Sequence, residues 1–94
     1  MVNIKQATAN AVTFARESLG ESRASGIRLE EIDSETVGGR DHWLITLSML
    51  DIDAPGNHFA AITGMHGNRE YKVFHVLKDT GEVTSMKVRE FATN

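Results

Sequence analysis

Side chains that could bind a metal are concentrated in one stretch of the chain, residues 51–68. Asp51, Asp53, His58 and His66 lie there among one proline and three glycines. Carboxylates and imidazoles are common metal ligands, but the spacing of these four residues matches no known ligand pattern. We therefore interpret them as solvated loop residues and predict neither a metal nor a cofactor.

The residues that could act in catalysis do not form a recognisable catalytic set. Serine, histidine and aspartate are all present, but no nucleophile elbow or comparable local signature brings them together. His42 and His75 fall in predicted strands, and the carboxylates of residues 30–35 form an acidic run typical of a solvated strand edge. The sequence favours a non-enzymatic protein without catalytic residues.

Composition excludes several classes of partner. The 94 residues allow one domain, and the formal net charge is -3. The sequence contains no run of lysine and arginine that would indicate a nucleic-acid partner. No apolar stretch approaches the roughly 20 residues that span a bilayer. The segment Met1–Gln6 lacks the apolar core of a signal peptide, so we expect a cytoplasmic protein. Without cysteine there is no disulfide and no thiolate site.

The first element that the sequence predicts is a helix over residues 4–19. Asn3 is a good N-cap with Gln6 three residues later, as in a capping box, and Gly20 follows the last helical residue. The apolar stripe is rich in alanine, which favours close packing on a sheet. It consists of Ile4, Ala7, Ala11, Ala15 and Leu19.

Four β-rich segments follow, and together they predict a fold of the α+β class. We place strands at 27–33, 42–50, 69–77 and 82–90, with a turn over 33–41 that contains Gly38–Gly39 and a long connection over 51–68. The expected architecture is α-β-β-β-β, in which the helix packs on one face of a four-stranded antiparallel sheet.

Alternation in the closing hairpin assigns its residues to two faces. With a loop at Asp79–Gly81, one face is predicted to enter the core. That face carries Phe74, Val76, Met86 and Val88. The opposite face is our candidate interaction surface, and it carries Tyr71, Val73, Leu77, Val83, Lys87 and Arg89.

The closing hairpin resembles that of PepSY-type domains. The residues that carry the resemblance are Tyr-Lys-Val-Phe-His-Val at 71–76 and Asp-Thr-Gly-Glu-Val at 79–83. More widely, the element order is similar to that of cystatin-like folds, in which one helix packs on a curved antiparallel sheet. The resemblance implies a domain that binds or restrains proteases.

Two functional hypotheses arise from these features. The first is a small protein-interaction module, an inhibitor or immunity-type binder, whose partner is another protein or a second copy of the chain. The alternative is a ligand-binding or catalytic domain with a pocket between helix and sheet. Trp43, Tyr71 and the aromatic residues of the 51–68 connection would line that pocket.

Overall fold

The computed structural model describes residues 1–50 and 69–89. Its elements are α1 (Ile4–Leu19), β1 (Arg28–Val37), β2 (Arg40–Leu50), β3 (Arg69–Leu77) and β4 (Val83–Val88). The strands form one antiparallel sheet in the order β1-β2-β3-β4, with α1 on one face. The predicted α+β arrangement is confirmed.

Helix α1 begins and ends where its capping residues place it. The side chain of Asn3 accepts from the N–H of Gln6, and the Gln6 side chain accepts from the N–H of Asn3, completing the capping box. Gly20 ends the helix with a φ of 83°. The three central alanines of the stripe are fully buried, so the helix backbone lies close to the sheet.

The core lies between α1 and the middle of the sheet. Besides the three alanines, it contains Ile45, Leu47, Met49, Phe74 and Val76, all without exposed surface. Met86 is partly buried against this cluster, whereas Val88 is 68% exposed. The prediction that Val88 enters the core was wrong, because Val88 lies on an edge strand outside the area that α1 covers.

The hairpin between β1 and β2 is tighter than the sequence predicted. Its turn is only Gly38–Gly39, with φ angles of 59° and 77°, and Val37 pairs with Arg40. Positive φ at both central residues is the type I′ geometry, whose twist matches that of paired strands. As a result β1 continues to Val37 instead of ending at residue 33.

The hairpin between β3 and β4 contains a bulge. Phe74 pairs with Met86 as predicted, but Val76 pairs with Val83 and not with Thr84. The N–H of Leu77 donates to the carbonyl of Glu82, so the loop has one more residue than expected, and the register shift compensates for it. Consequently Val83 faces α1, and its assignment to the opposite face was wrong.

Candidate functional site

The sheet face opposite α1, which we call the helix-free face, is defined by alternate residues of the four strands. The pairing of Ile45 with Phe74 on the helix side fixes the alternation. The helix-free face carries Glu31, Asp33 and Glu35 from β1; His42, Leu44, Thr46 and Ser48 from β2; Tyr71, Val73, His75 and Leu77 from β3; and Ser85, Lys87 and Arg89 from β4 and its end.

Five of the six predicted surface residues lie on this face. Tyr71 and Val73 are half-buried, Leu77 is buried, Lys87 is exposed, and Arg89 is half-buried. Val83, the sixth, lines a groove on the helix side instead. The bulge after Val83 accounts for the difference, because one extra residue in a strand reverses the faces on its far side.

Arg89 crosses the middle of the helix-free face from the β4 side to the β1 side. Its Nη1 donates to Glu31 Oε2 at 2.7 Å and to Thr46 Oγ1 at 3.1 Å. Beside it a hollow of about 200 Å³ is lined by Asp33, Leu44 and Val73 as well. The two charged edges of the face are therefore connected within one chain.

His75 lies in a row of polar side chains on the same face. Its Nδ1 is 2.8 Å from Ser85 Oγ, its Nε2 is 3.8 Å from Glu35 Oε2, and its ring meets that of His42 edge-on with centroids 6.0 Å apart. The order serine, histidine, carboxylate is that of a hydrolase triad. However, 3.8 Å is too long for the hydrogen bond that orients the imidazole in those enzymes.

The environment of His75 disfavours its protonated form. Burial lowers its pKa below the ordinary value of 6.5, Lys87 and His42 lower it further, and the Glu35 carboxylate opposes them. Neutral imidazole is therefore the form that the folded protein favours at neutral pH.

This lowered pKa predicts the sign of a pH dependence. As the pH falls below about 6.5, the unfolded chain binds the proton before the folded chain does. The free energy of unfolding should therefore decrease as the pH drops from about 6.5 towards the folded-state pKa of His75. Urea denaturation across this window should show the slope, and His75→Gln should remove it. An imidazole NMR titration of His75 with a midpoint at or above 6.5 would contradict this.

One end of the face is closed by Arg69. Its Nε donates to Ser48 Oγ at 2.9 Å, and its Nη2 donates to the carbonyls of Ser48 and Gly26. These bonds satisfy the fully buried Ser48 hydroxyl. Burial, followed by the repulsion of Arg28, lowers the pKa of the guanidinium.

The alternative pocket is not formed as predicted. Trp43 lies on the helix side, where its Nε1 donates to the carbonyl of Val2 and Lys78 Nζ lies 4.1 Å from its ring centroid. Tyr71 is on the helix-free face, so the two aromatics cannot line one cavity. Instead, an open groove of about 310 Å³ runs between α1 and β4, with Asn10, Phe14 and Val83 among its lining residues.

Metal binding gains no support from the residues that the structure describes. Within residues 1–50 and 69–89, no group of three or more histidines and carboxylates has the geometry to hold an ion. The four residues considered from the sequence, Asp51, Asp53, His58 and His66, lie outside the described part of the chain.

Sequence reasoning missed the contribution of the first hairpin to this site. Ending β1 at residue 33 left Glu35 in a turn, whereas the structure places it opposite His42 and near His75. The signal was the Gly38–Gly39 pair, because a two-residue type I′ turn allows both strands to continue up to it.

Comparison with protein-family models, curated proteins and solved structures finds no match for this chain. Among the described helices, none is long and apolar enough to cross a membrane.

Proposed function

We propose that this chain is a small non-enzymatic protein-interaction module, an inhibitor or immunity-type binder, and that the helix-free face is its contact surface. The observation that carries the proposal is the composition of this face. Leu44, Tyr71 and Val73 supply half-buried apolar surface near its centre, with carboxylates on β1 at one side, Lys87 on β4 at the other, and the Arg89 side chain reaching across from the β4 side to Glu31. An apolar centre with a polar rim is the usual anatomy of protein interfaces.

A second copy of the chain is one partner that this charge distribution would accept. A two-fold axis parallel to the strands would place β1 of one copy over β4 of the other, and therefore acid over base. An axis perpendicular to the strands would place the two acidic strands over each other. The Arg89–Glu31 ion pair within one chain means that Asp33, Glu35 and Lys87 would supply the contacts between copies.

The proposal predicts that a charge in the centre of the helix-free face weakens association. Val73→Lys should reduce partner binding at least tenfold, since about 1.4 kcal/mol lost from an interface centre has that effect. Ser18→Lys, on the exposed surface of α1, is the matched control and should bind as the wild type does. Both variants would be compared by affinity purification from the native host and by sedimentation equilibrium. A monomer that retains no partner, or equal retention by both variants, would contradict the proposed function.

A second candidate function is small-molecule binding in the groove between α1 and β4. Its volume of about 310 Å³ falls at the lower end of the range for ligand pockets. NMR shifts of Asn10 and Val83 on addition of members of a metabolite library would support this function. A library that shifts neither residue would argue against it.

A further inference from the structure

Strand β1 is an edge strand with very little burial of its own. Nine of its ten residues are exposed, and only Ile32 is half-buried. It pairs with β2 on one side, and in the described part of the chain no strand pairs with its other side. Such an edge presents backbone N–H and C=O groups that a further strand can bind.

The turn geometry identifies the backbone groups that point outwards. Val37 and Arg40 close a two-residue type I′ turn, so they form a hydrogen-bonded pair. Counting back with the alternation of an antiparallel ladder, Glu35 and Asp33 bond to β2. The N–H and C=O groups on the outer edge therefore belong to three alternate residues, namely Ile32, Ser34 and Thr36.

A hydrogen bond of Ser34 supports this assignment independently. Its N–H donates to the Oδ1 of Asp33 at 2.8 Å, as an amide outside the ladder can. The Asp33 carboxylate thus satisfies the central donor of the edge while no partner is bound. It also makes the edge selective, because an incoming strand must give this carboxylate a new partner.

The charges of β1 disfavour pairing with a second copy of itself. An antiparallel pair centred on Ser34 would place Asp33 of each copy opposite Glu35 of the other, and like charges in opposite positions destabilise a sheet. A strand with lysine or arginine at alternate positions would instead place a cation beside Glu31, Asp33 and Glu35. The acidic residues of β1 therefore disfavour a second copy of β1 as the added strand and favour a basic strand.

We propose that the outer edge of β1, over Ile32–Thr36, binds an extended basic segment of a partner protein as an added strand. This inference rests on the proposed function. It adds the chemistry of the partner segment and a second contact surface. On binding, a partner carbonyl accepts from the N–H of Ser34, and the released Asp33 carboxylate pairs with a lysine or arginine of the added strand.

The test uses the full chain and a synthetic peptide, Lys-Thr-Lys-Val-Lys-Thr-Lys, with both ends blocked. A peptide with glutamate in place of every lysine is the matched control. NMR titration at low salt should show binding of the basic peptide alone. Hydrogen exchange of the Ile32, Ser34 and Thr36 amides should slow at least tenfold in the complex. Absence of binding, equal binding of the acidic peptide, or protection confined to other amides would overturn the inference.

Two variants separate the contributions of backbone and charge. Ser34→Pro removes an N–H that the sheet does not use, so β1 should stay paired while peptide binding is lost. Asp33→Lys should weaken binding of the basic peptide about tenfold and strengthen binding of the acidic peptide. The test with Asp33→Lys does not depend on whether β1 tolerates a proline at position 34. Unchanged affinity in Asp33→Lys would overturn the inference.

The outcome is distinguishable from failure of the proposed function. If the basic peptide fails to bind while Val73→Lys still loses its partner, the edge inference is wrong and the proposed function stands. If the peptide binds β1 while Val73→Lys associates as the wild type does, the helix-free face is not the contact surface, and the edge alone accounts for binding.

Discussion

Replacing Phe74 with alanine is expected to lower the free energy of unfolding by about 3–5 kcal/mol. Phe74 has no exposed surface, pairs with Ile45 and Met86 on the helix side of the sheet, and meets the ring of Phe14 edge-on at 6.3 Å. Alanine removes the buried ring and leaves a cavity, because neither the helix nor the sheet can move in far enough to fill it. Urea denaturation measures the loss.

Val73→Ala is the matched control for Phe74, since the two residues are adjacent in β3 and face opposite ways. Val73 is half-buried and lies on the helix-free face, so its truncation should cost clearly less. Equal losses for the two variants would mean that the two faces of the β3–β4 hairpin are misassigned.

Replacing Gly81 with alanine is expected to cost about 2–3 kcal/mol, from backbone strain of about 1–2 kcal/mol and about 1 kcal/mol for a weakened hydrogen bond. The φ of Gly81 is +80°, and a Cβ there would lie 2.8 Å from Asn10 Nδ2 and 2.9 Å from Val2 Cγ1. Asn10 Nδ2 donates to the carbonyl of Gly81 at 2.9 Å, so the side chain that must move is the one that joins α1 to the hairpin.

Gly39→Ala separates the two causes. Gly39 has a φ of +77°, and no atom lies within 4 Å of the position that a Cβ would take there, so only the strain applies. Its loss should be about 1–2 kcal/mol. If Gly81→Ala costs no more than Gly39→Ala in thermal or urea denaturation, the close approach of Asn10 to the hairpin contributes nothing to stability.

The helix and the sheet order were predictable because their signals are local. The capping box fixed the start of α1, and alternation within the closing hairpin identified the buried side of β3. The length of β1 was not predictable from its own residues, since Ser34, Glu35 and Thr36 are polar and exposed. Pairing with β2 across a tight turn extends this strand.

The candidate site was only partly visible in the sequence. Tyr71, Val73, Leu77, Lys87 and Arg89 share a face because β3 and the outer part of β4 keep the predicted register. Val83 was misassigned because nothing in the hairpin sequence signals a bulge at Thr84. The contacts of His75 with Glu35 and of Arg89 with Glu31 join strands far apart in sequence, and only tertiary structure brings them together.

The most direct test of the helix-free face as a contact surface is site-specific photo-crosslinking in cells of the native host. A benzophenone amino acid would replace Val73 on that face, and Ser18 on the outer surface of α1 as the control. We expect Val73 to crosslink to a distinct protein or to a second copy of the chain, and Ser18 to give no such product. Absence of a product at Val73, or the same products at both positions, would contradict the assignment of this face to protein binding.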